Sequence, residues 1–212
     1  VSTRIFLASR NRKKIEEMER ILREHVPGVE VVGLDDLPAL GVDYDEPVED
    51  QPTFQGNALL KARAGLAATG LPSVADDSGL CVDALNGMPG VLSARWSGPR
   101  DGAAREEVDA RNNALLLAQL CDVPDERRAA RFACAVALCH PGGEEVVLGE
   151  MTGRVLREVR GEGGFGYDGL FEADDEPGRS TAELSREEKD AISHRGHALR
   201  ALGPVLAATV VR

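Results

Sequence analysis

Apolar and polar positions along this chain follow two rhythms. Residues 5–8 form a short apolar run, which predicts a buried strand. After it, Ile15, Met18, Ile21 and Leu22 recur at helical spacing, so residues 11–24 read as a helix. A Pro27-Gly28 turn leads to a second strand at 29–34. The acidic, proline-bearing stretch 37–52 reads as loop, 54–69 as an alanine-rich helix, and 73–76 as a short strand that ends in carboxylates. Residues 79–100 carry many glycines and prolines and read as a folded loop with short strands. A long helix is expected over 101–121, burying Leu115, Leu116, Ala118 and Leu120. Segments 131–140 and 145–156 predict a hairpin across Pro141-Gly142-Gly143. A glycine-rich loop spans 161–169, and Ser185-Arg186-Glu187-Glu188 is a capping-box start for the next helix. The stretch 193–211 reads as a final helix that Pro204 should kink or restart. Strands and helices alternate early and a hairpin comes late. The pattern therefore predicts an α/β protein with a mixed sheet rather than a clean doubly wound one.

Composition narrows the function. At 212 residues the chain can form one large domain or two small lobes around a substantial core. A net charge of -11 argues against general affinity for nucleic acid or anionic membrane. Aromatics are only 4%, which leaves few side chains for stacking along a nucleic-acid groove. The longest apolar run, 132–139, is far too short for a membrane span. Cys81, Cys121, Cys134 and Cys139 contain no C-x-x-C pair, and Cys134 and Cys139 would point to opposite faces of one strand, so no zinc site is expected. Free thiols and no recognisable signal peptide predict a reducing cytoplasm.

Four clusters carry candidate chemistry. Arg10, Arg12, Lys13 and Lys14 crowd the start of the first helix, where the helix dipole favours acids. A bound phosphate would resolve the conflict, since free backbone N–H groups at a helix start and nearby cations make an anion site; the alternative is a solvated basic turn. In Val74-Ala75-Asp76-Asp77-Ser78-Gly79, neighbouring strand residues face opposite ways. One aspartate can thus bind a metal or act as base while the other braces the turn, unless the run is an ordinary solvated turn. Five glycines between Gly161 and Gly169 allow close backbone approach to a ligand, and Phe165 and Tyr167 offer flat faces to a purine; a flexible loop is the alternative. Neither a dinucleotide fingerprint nor a P-loop occurs. Finally, Lys189, His194 and Arg195 can serve one site only if the helix breaks near Ile192, with Ser193 capping the next helix; otherwise they are scattered surface charges.

Taken together and in order, these clusters resemble the inosine triphosphate pyrophosphatase family, also described as dITP/XTP pyrophosphatases. The resemblance runs from about Ile5 to Gly203 and rests on Ala75-Asp76-Asp77-Ser78-Gly79-Leu80, Gly87-Met88-Pro89-Gly90-Val91-Leu92-Ser93-Ala94-Arg95, Gly163-Gly164-Phe165-Gly166-Tyr167-Asp168 and Glu188 through Arg195. It implies one domain over 1–212, with an elongated, twisted mixed sheet flanked by helices, two lobes around an active-site cleft, and a homodimer. It implies Mg²⁺-dependent cleavage of ITP, dITP and XTP to a monophosphate and pyrophosphate, clearing these nucleotides from the pool. Ser9, Asn11 and Lys14 become phosphate ligands within the basic stretch that also holds Arg10, Arg12 and Lys13. Asp77 becomes metal ligand and catalytic base, with Ser78 beside it on the substrate. Glu49 is the matching second metal ligand, with Glu46 as fallback. Phe165, Gly166, Tyr167, Asp168, Lys189, His194 and Arg195 fall to the base, the last three as donors to O6 and N7 of hypoxanthine. Adenine carries a donor at position 6 and would leave such groups unpaired. The chain departs from its relatives at Arg10, at Gly56 (usually glutamate) and at Gly169 (usually proline).

Two other readings compete. A Maf-like pyrophosphatase of other nucleotides would share the opening motif but not Phe165-Gly166-Tyr167-Asp168 together with Ser193-His194-Arg195. A nucleotide-binding module without turnover would have lost the metal carboxylates, whereas Asp77 and Glu49 are both present.

Overall fold

A computed structural model describes residues 4–10 and 12–210, with side chains described for all of these except 12–14, 17 and 210. Strand β1 (Arg4–Leu7) lies parallel to β2 (Glu30–Val32) and to β3 (Ser73–Val82), with Phe6 opposite Val32 on one side and Ser73 on the other. Parallel neighbours require crossovers, and helices α1 (Arg12–Arg23) and α2 (Phe54–Thr69) supply them. Strand β4 (Met88–Pro89) folds back antiparallel on β3. After α3 (Arg105–Gln119) come β5 (Ala129–His140) and β6 (Gly143–Val155), then β7 (Phe171–Ala173), antiparallel to β6. Helices α4 (Arg186–Ile192) and α5 (His194–Val210) finish the chain. The sheet order is β2-β1-β3-β5-β6-β7, with β4 paired to β3 off that path. The mixed α/β sheet expected from the hydrophobic pattern is therefore present.

Contacts divide the chain into two compact units, one of residues 1–77, 134–149 and 195–212, the other of 78–133 and 150–194. In the first, the period-two alternation of β5 builds a core on each side of the strand. Cys134, Val136 and Leu138 join Ile5, Leu7, Val74, Leu22, Leu202 and Leu206. Ala135, Ala137 and Cys139 instead meet Ala58 and Ala62 of α2. Cys134 and Cys139 thus lie in different cores, and all four cysteines are free thiols. The small residues of α2 let it come close to the sheet. A Cβ on Gly65 would lie 2.6 Å from the Phe6 ring.

The second unit is built on larger side chains, Leu80, Leu116, Leu120, Met151, Tyr167 and Leu170 among them, with Phe132 edge-on to Phe171 at 4.8 Å. Arg128 is 3% exposed within this unit. Its guanidinium donates to the carbonyls of Leu120 (2.7 Å), Val155 (2.8 Å) and Leu156 (2.8 Å).

Several sequence expectations need correction. Strand β3 does not stop at Asp76 but continues to Val82, so the two aspartates stand mid-strand. Gly79 does not turn the chain; it admits the neighbouring segment, for a Cβ there would sit 2.5 Å from the Gly90 carbonyl oxygen. Part of the acidic loop is a 3-10 turn over Leu34–Leu40. Helix α3 starts only at Arg105, because Asp101 (φ 47) and Gly102 (φ 81) take left-handed backbone. Ala118 is exposed, while Leu116 and Leu120 are buried. Helix α5 runs through Pro204 without a new start: Pro204 is on the solvent side, and Ala198, Leu199, Leu202 and Leu206 anchor the helix on both sides of it.

Candidate active site

Strand β3 presents Asp76 and Asp77 in succession, and the pleat separates their side chains. Asp76 is 6% exposed and accepts a hydrogen bond from the half-buried Arg195 Nε at 3.2 Å. Asp77 accepts from Asn57 Nδ2 at 2.9 Å. One helical turn beyond Asn57, Lys61 donates to Glu49 Oε1 at 2.5 Å and to the Asp76 carbonyl at 2.7 Å. Asn57 is fully buried, and its Oδ1 accepts from the Gln51 backbone at 3.0 Å, which ties the acidic loop to α2. Burial pushes the Asp77 carboxyl up, and the negative charges of Glu49 and Asp76 add to the effect against Asn57 and Lys61. Burial pulls the Lys61 ammonium down, but Asp76, Glu49 and Asp77 outweigh it and leave it raised. Lys61 therefore stays charged and balances a group of carboxylates.

Glu49 acts on the same electrostatic centre as Asp77, whereas Glu46 lies 3.9 Å from exposed Arg10. Arg10 also donates to Asp35 at 3.2 Å. Ser9 is half-buried and its carbonyl accepts from Leu34 N at 3.1 Å. The first turn of α1 holds no acid, as its sequence required. Asn11 and the side chains of Arg12, Lys13 and Lys14 lie outside the described residues.

The glycine-rich loop belongs to the second unit and is organised by Asp168. The Asp168 carboxylate is 5% exposed, accepts from Lys189 Nζ at 2.5 Å and from Phe165 N at 2.8 Å, and takes the Thr181 hydroxyl at 3.2 Å. Gly164 (φ +73) is required twice over: its backbone is left-handed, and a Cβ would lie 2.8 Å from Asp168 Cβ. The two aromatics have separate fates, which corrects the expectation that both offer a face to a purine. Tyr167 is 4% exposed and donates its hydroxyl to the Ser93 carbonyl at 2.9 Å, so its ring serves the core and burial pushes its pKa up. Phe165 is 48% exposed, with the Arg105 guanidinium 4.6 Å and the Lys189 ammonium 5.3 Å from its ring centre.

The helix break is present. Ser193 is extended (φ -66, ψ 144) between α4 and α5, so Lys189 falls in the last turn of one helix and His194 and Arg195 open the next. The His194 ring stacks on Phe132 at 5.0 Å. Ser78 follows Asp77 directly and is half-buried. Gly166 has left-handed backbone at φ 63.

Residues 5–205 match the Ham1 family. The chain belongs to the Ham1 family. It is 60% identical over 211 residues to a dITP/XTP pyrophosphatase of Nocardia farcinica, covering 99% of this chain and 97% of that protein. It is 58% identical over 203 residues to a dITP/XTP pyrophosphatase of Mycolicibacterium paratuberculosis, covering 95% of each. Among solved structures, the nucleoside-triphosphatase / dITP/XTP pyrophosphatase of Mycobacterium abscessus matches with a TM-score of 0.76 at 54% identity, over 96% of this chain and 100% of that one. A HAM1 protein from Coxiella burnetii matches with a TM-score of 0.84 at 37% identity, over 97% and 99%.

This member of the Ham1 family also explains its own departure at residue 56. A Cβ on Gly56 would lie 2.8 Å from the Gln51 side chain, and the Gly56 N–H already bonds the capping Thr53 hydroxyl at 3.1 Å. Sequence reasoning missed Asn57, Lys61 and the Asp76–Arg195 pair. The first two had a signal: polar residues four apart in an otherwise alanine-rich helix mark a face that needs a polar partner. Among the described residues no cluster of three or more His, Cys, Asp or Glu is placed to hold a metal ion. Mg²⁺ commonly takes only one or two carboxylates and completes its shell with water and substrate phosphates. Asp77 and Glu49, the latter making ionisation of the former costlier, fit that requirement. No helix among the described residues is long and apolar enough to cross a membrane.

Proposed function

We propose that the protein hydrolyses ITP, dITP and XTP to the nucleoside monophosphate and pyrophosphate, with Mg²⁺ held by Asp77 and Glu49. The observation that carries this reading is the hydrogen-bonded group of half-buried Asp77 and Glu49 with buried Asn57 and Lys61, in a chain whose near relatives are dITP/XTP pyrophosphatases. Bound Mg²⁺ would offset phosphate charge and polarise the scissile phosphorus. The residues do the rest. Asp77, fixed by Asn57, orients a water and takes its proton. Lys61 stays cationic beside the carboxylates and stabilises negative charge as it builds. The stretch from Ser9 to Lys14 and the start of α1 receive the phosphates, with Ser78 touching the substrate next to Asp77. Phe165 stacks on the base, Gly166 and Asp168 shape the loop that carries it, and Lys189, His194 and Arg195 donate to the 6-oxo purine edge. Tyr167 supports that loop from inside. The Asp76 carboxylate holds Arg195 through Nε and so fixes the plane of the guanidinium.

In this reading the chain is a single functional domain working on free nucleotides as a homodimer in the cytoplasm. Its net charge of -11 and free thiols are consistent with that. The test is product analysis with purified protein, Mg²⁺ and ITP, dITP, XTP, GTP or ATP. Pyrophosphate as first product, with the three 6-oxo substrates lacking a 2-amino group turned over fastest, is expected. Inorganic phosphate as first product, or equal rates on ATP, would overturn the assignment.

A further inference from the structure

One face of α3 grips the loop that carries Phe165. Arg105, Asp109 and Asn113 follow one another at intervals of four residues, which aligns them along the helix. The two ends of the Gly166 peptide environment are both held from this face. Asp109 Oδ2 accepts the Gly166 N–H at 2.7 Å, and Asn113 Nδ2 donates to the Gly166 carbonyl at 3.0 Å. The same Asp109 oxygen lies 4.0 Å from Arg105 Nε, and the Arg105 guanidinium stands over the Phe165 ring at 4.6 Å. Asn113 keeps this orientation although its Oδ1 is buried without a hydrogen-bond partner, so the bond to Gly166 sets the amide. Gly166 itself is left-handed at φ 63, a conformation that a free glycine loop would adopt only part of the time.

We propose that Asp109 and Asn113 are positioning residues for the base-stacking ring. By holding both backbone groups of Gly166 they fix Phe165 before substrate arrives, and Arg105 braces the ring from the same helix face. Preorganisation of this kind lowers the ordering cost of binding and leaves the chemistry at Asp77 untouched. The inference rests on the reading of Phe165 as the stacking residue. Because stacking is felt by ground state and transition state alike, loosening the ring raises KM and spares kcat.

The experiment is a double-mutant cycle on kcat and KM for ITP. Phe165→Ala is expected to raise KM by about tenfold, the scale of one lost base–aromatic stack. Asp109→Ala and Asn113→Ala are each expected to raise KM by about three- to tenfold with kcat changed by less than about twofold. Asp109→Asn keeps an acceptor for Gly166 N and should recover most of the affinity. The deciding measurement is Asp109→Ala added to Phe165→Ala: with no ring left to position, it should cost less than about twofold more. Independent, multiplying effects would overturn the proposal, as would a loss confined to kcat. Asn113→Ala, which removes a single hydrogen bond, carries the same cycle if Asp109→Ala does not fold. If the unmodified protein fails to release pyrophosphate from ITP, the functional reading and this proposal fall together; if it does release it and the cycle is additive, only the positioning role falls.

Discussion

Asp77 is useful because its surroundings disagree about its charge. Burial favours the protonated carboxyl, whereas Asn57 and Lys61 favour the carboxylate. A carboxyl raised in the folded state binds its proton more tightly folded than unfolded, so its ionisation weakens the fold as pH climbs through the window between the ordinary value and the raised one. Asp77→Asn removes that charge and keeps an acceptor for Asn57. In metal-free buffer the variant should therefore melt above the parent protein at pH 7. The margin should vanish once pH falls below the ordinary carboxylate value of about 3.9. Its kcat should meanwhile drop by at least about 10²-fold, as for a lost general base. Denaturation curves across pH, beside steady-state kinetics, check both halves. An unchanged kcat would remove Asp77 from the mechanism. At this scale the sequence was legible where chemistry lies in a run, as at Asp76-Asp77-Ser78 or Phe165 through Asp168. It was opaque where folding alone makes the pair: Asn57 and Asp77 are 20 residues apart, and Asp76 and Arg195 are 119 apart.

At the level of elements, the joints show which interactions cannot be replaced. Arg128 stands between the end of α3 and the end of β6 and satisfies backbone carbonyls from both. A helix end leaves such carbonyls without partners, and a buried one left unpaired costs about 1–3 kcal/mol. Arg128→Ala strips three of them, so a loss of about 3 kcal/mol or more is expected. For a protein of this size that is a fall in Tm of about 6–12 °C. Arg128→Lys should recover only part, because an ammonium cannot reach as many oxygens as a planar fork. Calorimetry decides it, and a Tm within about 2 °C of the parent would show the carbonyls finding water instead. Element existence was readable from periodicity, and α2 was placed to the residue. Strand β3 was cut short because Asp-Asp-Ser-Gly is turn chemistry, and its place in the sheet beside β1, β4 and β5, which these residues do not announce, keeps them extended. The start of α3 was read too early because Asp101-Gly102-Ala103-Ala104 carries no hydrophobic period to contradict a helix.

The apolar cores of the two units and the Lys61–Glu49 ion pair give the fold its own support. Lys61 already supplies a cation to Glu49, and the cores of both units are hydrocarbon. A chelator should therefore abolish pyrophosphate release while leaving Tm within about 3 °C, unlike domains whose fold depends on bound zinc. Collapse of the fold in chelator would contradict this. The division of the chain has a further consequence, one for biosynthesis. The first unit is discontinuous: its core needs Ile5, Leu7 and Val74, which precede the second unit in the chain, and Leu199, Leu202 and Leu206, which follow it. A ribosome adding about 5–20 residues per second needs roughly 6–24 s to travel the 118 residues from Asp77 to Arg195. Through that interval the early strands must stay uncommitted with their apolar faces open, although the second unit is already complete in sequence by His194. The second unit can thus close before the unit carrying Asp77, whose core waits for residues 199–206.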